Sequence, residues 1–326
     1  MTGERKLIIQ IPCLNEAGTL ALALKELPRK VEGFDRVEFL VIDDGSTDAT
    51  AETARQCGVE HVVRHCTNMG LARAFMTGLR TALAAGADVI VNTDADNQYC
   101  AADIPKLTAP ILSGEAEYVI GTRPISEIRH FSPVKKLLQK FGSLMVRKFS
   151  GTDVEDAPSG FRALSRDAAM RINVFSDYTY TLETIIQAGS KNMKIKSVPI
   201  RVNRDLRPSR LVKSIPKYVQ RSVFTMIRIA VIYRPFRFFM ICGLGSFSVG
   251  VLLGCRFLWA YFQGAGHGMV QSLILASLFL LAGFFSCIVA FIADLLAVNR
   301  MLLEEIQYSM RARDLLQERG DEQKNS

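Results

Sequence analysis

Two carboxylates and an amide, Asp94, Asp96 and Gln98, follow directly on a short apolar run, Asp88-Val-Ile-Val-Asn-Thr93. The run reads as a buried strand of a parallel sheet, so it delivers the three side chains to the loop at the strand's carboxyl end. That edge is where open α/β sheets bind ligands. Asp94 and Asp96, separated by one residue in an extended turn, can point the same way. With the Gln98 carbonyl oxygen they offer hard oxygen ligands suited to Mg²⁺ or Mn²⁺. An Asp-x-Asp alone is common in surface turns and helix caps, so the weight falls on what surrounds it.

The segments before it must build that sheet. Lys6–Pro12 reads as a strand, followed by the loop Cys13-Leu-Asn-Glu16 and a helix from about Ala17 to Leu27. Phe39–Ile42 is a second buried strand that runs into Asp43-Asp-Gly-Ser-Thr-Asp48, whose Ser46, Thr47 and Asp48 suit the cap of a helix through Ala54. His61–Arg64 is a third strand, and a helix is expected from about Leu71 to Ala85. The first hundred residues thus alternate strand and helix, which calls for a parallel sheet with helices on both faces. Asn15, Glu16, Asp43, Asp44, Asp94 and Asp96 all fall at strand carboxyl ends, so one pocket can collect them. No glycine fingerprint follows the first strand and no Walker lysine loop is present, which argues against dinucleotide redox and P-loop chemistry.

Further along, Tyr118–Gly121 is a strand leading to Thr122-Arg123, and residues 133–150 suggest a basic amphipathic helix. Asp156-Ala-Pro-Ser-Gly-Phe-Arg162 is a fixed turn presenting Asp156 and Arg162. Helices near Arg166–Ile172 and Tyr180–Ala188 and a last strand over Met193–Val202 complete the domain.

The 326-residue chain has a formal net charge of +8, and its location is informative. Residues 201–237 carry ten Lys or Arg against the single acid Asp205, at a helical spacing with apolar residues between them after Pro216. This is the pattern of a helix lying on an anionic membrane surface, not of a nucleic-acid site. Phe238–Phe262 and Ser272–Val298 follow, each with one charge (Arg256, Asp294) and each longer than the roughly 20 residues that cross a bilayer. Both outer flanks are basic and the loop between is uncharged, which predicts both termini in the cytosol at an inner (cytoplasmic) membrane. After Asn299 an amphipathic cytosolic tail is expected, ending disordered. The seven cysteines lack metal-site spacing and are expected to be reduced. Glycines at 243, 245, 250 and 254 permit close helix packing and a homo-oligomer.

In order, Ile11-Pro-Cys-Leu-Asn-Glu16, Val41-Ile-Asp-Asp-Gly-Ser46, Asp94-Ala-Asp-Asn-Gln98, Asp156-Ala-Pro-Ser-Gly-Phe-Arg162 and Val198-Pro-Ile200 with Arg204-x-x-x-x-Ser209-Arg210 resemble the polyprenyl-phosphate glycosyltransferases of glycosyltransferase family two. Dolichol-phosphate mannose synthases and bactoprenol glucosyltransferases belong there, and with its two spans the chain is most similar to the latter. The resemblance covers about residues 6–300. It implies an α/β, GT-A-type (Rossmann-like), mostly parallel sheet domain over 1–203, a basic juxtamembrane segment over 204–237, spans over 238–262 and 272–298, and a tail over 299–326.

The resemblance also implies roles. Pro12, Asn15, Glu16, Ile42, Asp43, Asp44, Asp94, Ala95, Arg204 and Arg210 would surround the nucleotide-sugar. Asp94, Asp96 and Gln98 would hold Mg²⁺ or Mn²⁺ at its diphosphate. Asp156, Asp96 and Arg123 would be catalytic, and Arg123, Arg162, Arg207 and Lys213 would meet the acceptor phosphate or the membrane. Where the family usually has Arg-x-x-Gly-x-Ser-Lys, this chain has Arg204-Asp-Leu-Arg207-Pro-Ser-Arg210. The expected reaction is inverting, metal-dependent hexosyl transfer to a polyprenyl phosphate such as undecaprenyl phosphate, serving cell-envelope glycans. A processive polysaccharide synthase is an alternative, although Gln220-Arg221-Ser222 does not match that group's Gln-x-x-Arg-Trp. A membrane-anchored nucleotide-sugar sensor is another, although it would tolerate loss of the acidic residues retained here.

Overall fold

The structure, a computed structural model, describes residues 4–124, 147, 151–174, 180–203, 224, 227–228, 231–233, 235–264 and 270–325. Its central strands are the apolar runs. β1 (Lys6–Cys13) is buried after its first residue, β2 (Arg36–Asp43) is buried from Phe39 onward, and β4 (Val89–Asn92) is buried throughout. β2 begins three residues earlier than its apolar run, because Arg36, Val37 and Glu38 pair in parallel with Lys6, Leu7 and Ile8. β3 (His61–Arg64), β5 (Tyr118–Thr122), β6 (Arg162–Ser165) and β7 (Ile195–Pro199) complete one sheet in the order β3-β2-β1-β4-β6-β5-β7.

β1 pairs in parallel with β2 and β4, as do β2 with β3 and β5 with β7. β6 is the exception and runs antiparallel to both β4 and β5. That strand goes beyond the sequence expectation of a turn leading straight into a helix; four residues that begin with an arginine carry no strand pattern.

Helices cover the sheet. α1 (Ala17–Glu26) and α2 (Thr50–Gln56) follow β1 and β2. α3 (Leu71–Ala84) buries Ala72, Phe75, Met76, Leu79, Ala82 and Leu83, the stripe expected of a helix lying on a sheet. It lies so close that a Cβ on Gly78 would stand 2.5 Å from Gln10 Oε1 and 2.8 Å from Ile42 Cδ1. α4 (Ile104–Leu112), led by a short 3-10 turn over Ala101–Asp103, is absent from the sequence expectation because Pro105 and Pro110 mask its periodicity. α5 (Arg166–Arg171) is capped by Ser165, whose hydroxyl accepts from Ala168 N. α6 (Thr181–Ser190) continues through Gly189, beyond the stop expected there.

The chain divides into two compact units, residues 1–222 with 307–326, and residues 223–306. In the second, α7 (Pro235–Phe262) and the beginning of α8 (Val270–Asn325) are both long and apolar enough to cross a membrane. Gly243 and Gly250 of α7 lie where an added Cβ would meet Gly283 O and Leu280 N of α8 at 3.1 and 2.8 Å. Two of the four glycines are therefore used inside this hairpin. α8 has no break near Asn299 and its backbone stays helical to Asn325, where a disordered end was expected. Within the first unit its later part docks on α5. Tyr308 donates to Asp167 Oδ1 at 2.7 Å, and Arg311 donates to Met170 O and Asn173 Oδ1 at 2.9 and 2.6 Å.

Candidate active site

Parallel register sets the site. Cys13 is opposite Asp43 and Gln10 is opposite Asn92, so the loops after β1, β2 and β4 leave one edge of the sheet side by side. They are stitched together. Asn15, in the left-handed region at φ 56°, accepts at its Oδ1 from Thr47 N (2.8 Å), and its own N donates to Ser46 Oγ (2.9 Å). Asp44 N donates to Cys13 O at 2.9 Å, and Glu16 N to Thr50 Oγ1 at 2.9 Å.

The two aspartates after β2 differ. Asp43 accepts from Ser46 N at 2.8 Å and has its other oxygen 3.2 Å from Arg64 Nε. Asp44 is consumed inside the protein. Its oxygens accept from Met69 N and Gly70 N at 2.9 and 2.8 Å and pair with His65 Nδ1 at 2.7 Å, which fastens the loop before α3. Pro12 and Ile42 are likewise buried in the sheet, with Ile42 turned toward α3. Asn15 and Glu16 are partly exposed at this edge, whereas Pro12, Ile42, Asp43 and Asp44 are buried beside it.

The loop after β4 is built around two carboxylates. Asp96 Oδ1 accepts from Gln98 N at 3.1 Å, and Asn97 between them takes a left-handed φ of 57°, which an asparagine tolerates. Asp94 lies beneath the peptide of Gly160, where a Cβ would sit 2.9 and 3.0 Å from its two carboxylate oxygens. The Gly160 peptide is held from both sides. Asn92 Nδ2 donates to its carbonyl at 2.8 Å and to the Tyr180 hydroxyl at 3.0 Å, and Gly160 N donates to the Tyr99 hydroxyl at 2.9 Å. That hydroxyl in turn hydrogen-bonds the Asp94 carboxylate. Tyr99 stacks on Phe161, and Tyr180 on Phe75. Asn92, Tyr99, Gly160 and Tyr180 were all missed as site residues. Gly160 lies inside the quoted turn motif, but a contact between that turn and Asp94 becomes visible only when β6 pairs with β4.

Beside this loop, Asp156 and Arg123 form a buried bidentate pair, Nε to Oδ2 at 2.7 Å and Nη2 to Oδ1 at 3.0 Å. Arg162 is fully buried, donating to Ser159 O and Ala157 O at 2.6 and 2.7 Å, to Thr184 Oγ1 at 2.7 Å and to the Tyr118 hydroxyl. Its guanidinium holds the 156–160 turn in place through Ser159 O and Ala157 O. Arg204, Arg207, Arg210 and Lys213 lie outside the described residues.

Burial, and then the charge of Asp96, push the Asp94 carboxyl up to about 7 against the opposing fields of Arg123 and Arg162. The carboxylate oxygens of Asp94 and Asp96 with the Gln98 amide oxygen are a donor set that fits Mg²⁺ or Mn²⁺. Among the described residues no group of three or more His, Cys, Asp or Glu forms a preassembled cage. A cation here would take its remaining ligands from a bound diphosphate and water, as Mg²⁺ commonly does.

A mostly parallel α/β sheet with an acidic loop at its carboxyl edge, followed by two candidate spans, defines a GT-A-like glycosyltransferase architecture. Residues 8–172 match glycosyl transferase family 2, and the chain belongs to that family. It is similar to the undecaprenyl-phosphate mannosyltransferase of Micrococcus luteus, 30% identical over 212 residues that cover 62% of this chain and 85% of that one. It is also similar to the dolichol-phosphate mannosyltransferase of Pyrococcus furiosus, 28% identical over 273 residues, covering 78% and 72%. Among solved structures, glucosyl-3-phosphoglycerate synthase of Mycobacterium tuberculosis in complex with Mn²⁺, UDP and its product shares the fold. The TM-score is 0.53 at 21% identity over 68% of this chain and 80% of that one.

Proposed function

We propose that this glycosyltransferase moves a hexosyl group from a UDP- or GDP-sugar to a polyprenyl phosphate at the cytosolic face of the membrane, with inversion at the anomeric carbon. The observation that carries the reading is the juxtaposition of the Asp94–Gln98 loop with the turn that bears Asp156, in a chain with two apolar helices. The named acceptors of its relatives support it.

In this reading residues 1–203 are the catalytic domain, and the basic segment 204–237 with the spans 238–262 and 272–298 holds it at the bilayer. The acceptor demands this, because drawing a prenyl chain into water costs about 0.8 kcal/mol per CH₂. Pro12, Asn15 and Glu16 border the nucleotide, Asp44 or its neighbour Asp43 holds the base or ribose, and Arg204 and Arg210 are assigned to the nucleotide-sugar by the resemblance. Asp94, Asp96 and Gln98 hold Mg²⁺ or Mn²⁺, which when bound neutralises the leaving diphosphate.

A phosphate monoester is largely ionised near neutral pH, so the acceptor needs no strong general base. One of its oxygens attacks the anomeric carbon as the bond to the diphosphate breaks, the electron pair leaving with the diphosphate. Arg123 aids this by charge and Asp156 by holding Arg123 in a fixed orientation. Arg207 and Lys213 are the basic residues that the resemblance assigns to the acceptor phosphate or the membrane.

The test is transfer of radiolabelled sugar from a panel of UDP and GDP donors to undecaprenyl phosphate by the full chain in detergent. The reading predicts a labelled lipid with one donor class and an inverted anomeric linkage by NMR. Donor binding without transfer to any polyprenyl phosphate would overturn it.

A further inference from the structure

The metal loop is fastened to the strip of chain that leaves the catalytic sheet. Just after β7, Arg201 N donates to Asp103 Oδ2 at 2.7 Å, and the Arg201 guanidinium reaches Asp103 Oδ1 at 2.8 Å. Cys100 N donates to Arg201 O at 3.2 Å, Tyr99 bridges Val202 in antiparallel fashion, and Asn203 N donates to Gln98 O at 2.8 Å. The Asn203 side chain closes the clamp, its Nδ2 standing 3.1 Å from Asn97 O and 3.4 Å from Tyr99 O, with Glu26 Oε2 at 3.5 Å.

Every carbonyl from Asn97 to Tyr99 thereby answers to one residue. Asn97 is also where the loop takes its left-handed turn, so the peptide between Asp96 and Gln98 has no regular ladder of its own to hold it. We infer that Asn203 is a positioning residue for the Asp94–Gln98 loop, holding its carboxylates and amide at the spacing a divalent cation needs. The inference rests on the reading of Asp94, Asp96 and Gln98 as metal ligands.

Two variants test it in the full chain in detergent. Asn203→Ala removes the amide donor, and Asn203→Asp keeps the shape but turns an oxygen toward two carbonyls and the Glu26 carboxylate. Hydrogen exchange without metal should accelerate about tenfold in peptides covering 94–100 in both variants, with peptides of β1 and β2 unchanged. Mn²⁺ binding, read by EPR, should weaken at least fivefold, and in turnover the Mn²⁺ requirement should rise while the KM for undecaprenyl phosphate stays constant. Unchanged exchange at 94–100 would overturn the inference whatever the metal result, as would wild-type Mn²⁺ affinity in both variants. A wild-type protein that binds no Mn²⁺, with exchange responding as expected, would instead reject the metal reading and leave the clamp standing as a structural one.

Discussion

Gly160 is the residue whose replacement separates site from scaffold most cleanly. Its missing Cβ would contact the Asp94 carboxylate at 2.9 and 3.0 Å and the Tyr180 hydroxyl at 3.2 Å, all ends of side chains rather than backbone. Gly160→Ala should cost little stability, under about 1 kcal/mol, yet lower Mn²⁺ affinity roughly tenfold by displacing Asp94. A thermal melt paired with an EPR titration checks both halves. Asp156 should behave differently. Removing it leaves the buried Arg123 guanidinium without its partner, a change that costs about 3–5 kcal/mol. Asp156→Ala should therefore lose both transfer and stability. The double variant Arg123→Met/Asp156→Leu should regain most of the stability and none of the transfer, which denaturant titration and the radiolabel assay resolve. At this scale the sequence placed the acidic loop at the carboxyl end of β4, where the structure also has it. The structural partners of Asp44 and Arg162, Gly70 N and His65 or Tyr118 and Thr184, were not legible, because they lie far away in sequence.

At the scale of elements, the three central strands were readable because each is a continuous apolar run bounded by turn residues. β6 and α4 were not, since one begins with a buried arginine and the other contains two prolines. Joining α4's leading turn to the segment after β7 is the work of Asp103, whose carboxylate is fully buried against Arg201 and Lys106. Burial alone would raise its pKa, but the hydrogen bonds from Arg201 and Lys106 outweigh it and hold the group down at about 2, below the ordinary 3.8. A depressed folded value means the contribution is complete above about pH 4 and is lost as pH falls through 2. With both cations largely exposed, its size is of order 1–2 kcal/mol. Asp103→Asn should abolish that part of the acid dependence while changing little at the lowest pH, as read from unfolding midpoints between pH 5 and 2.

For the whole molecule, a GT-A-like sheet domain is followed by two helices apolar enough to cross a membrane, which suits the proposed transfer from a water-soluble donor to a lipid acceptor. Charge patterning made that architecture legible, whereas the continuity of α8 into the part that docks on α5 was not, since amphipathic and apolar stretches change character at Asn299 without changing conformation. The measurement that tests the central claim most directly is sugar transfer to undecaprenyl phosphate by the full chain, wild type against Asp96→Ala, with EDTA and then with Mn²⁺ restored. A labelled lipid should form with the wild type, disappear with EDTA and return with Mn²⁺, and Asp96→Ala should give at least a hundredfold less under every condition. Transfer that survives both EDTA and loss of Asp96 would contradict that claim.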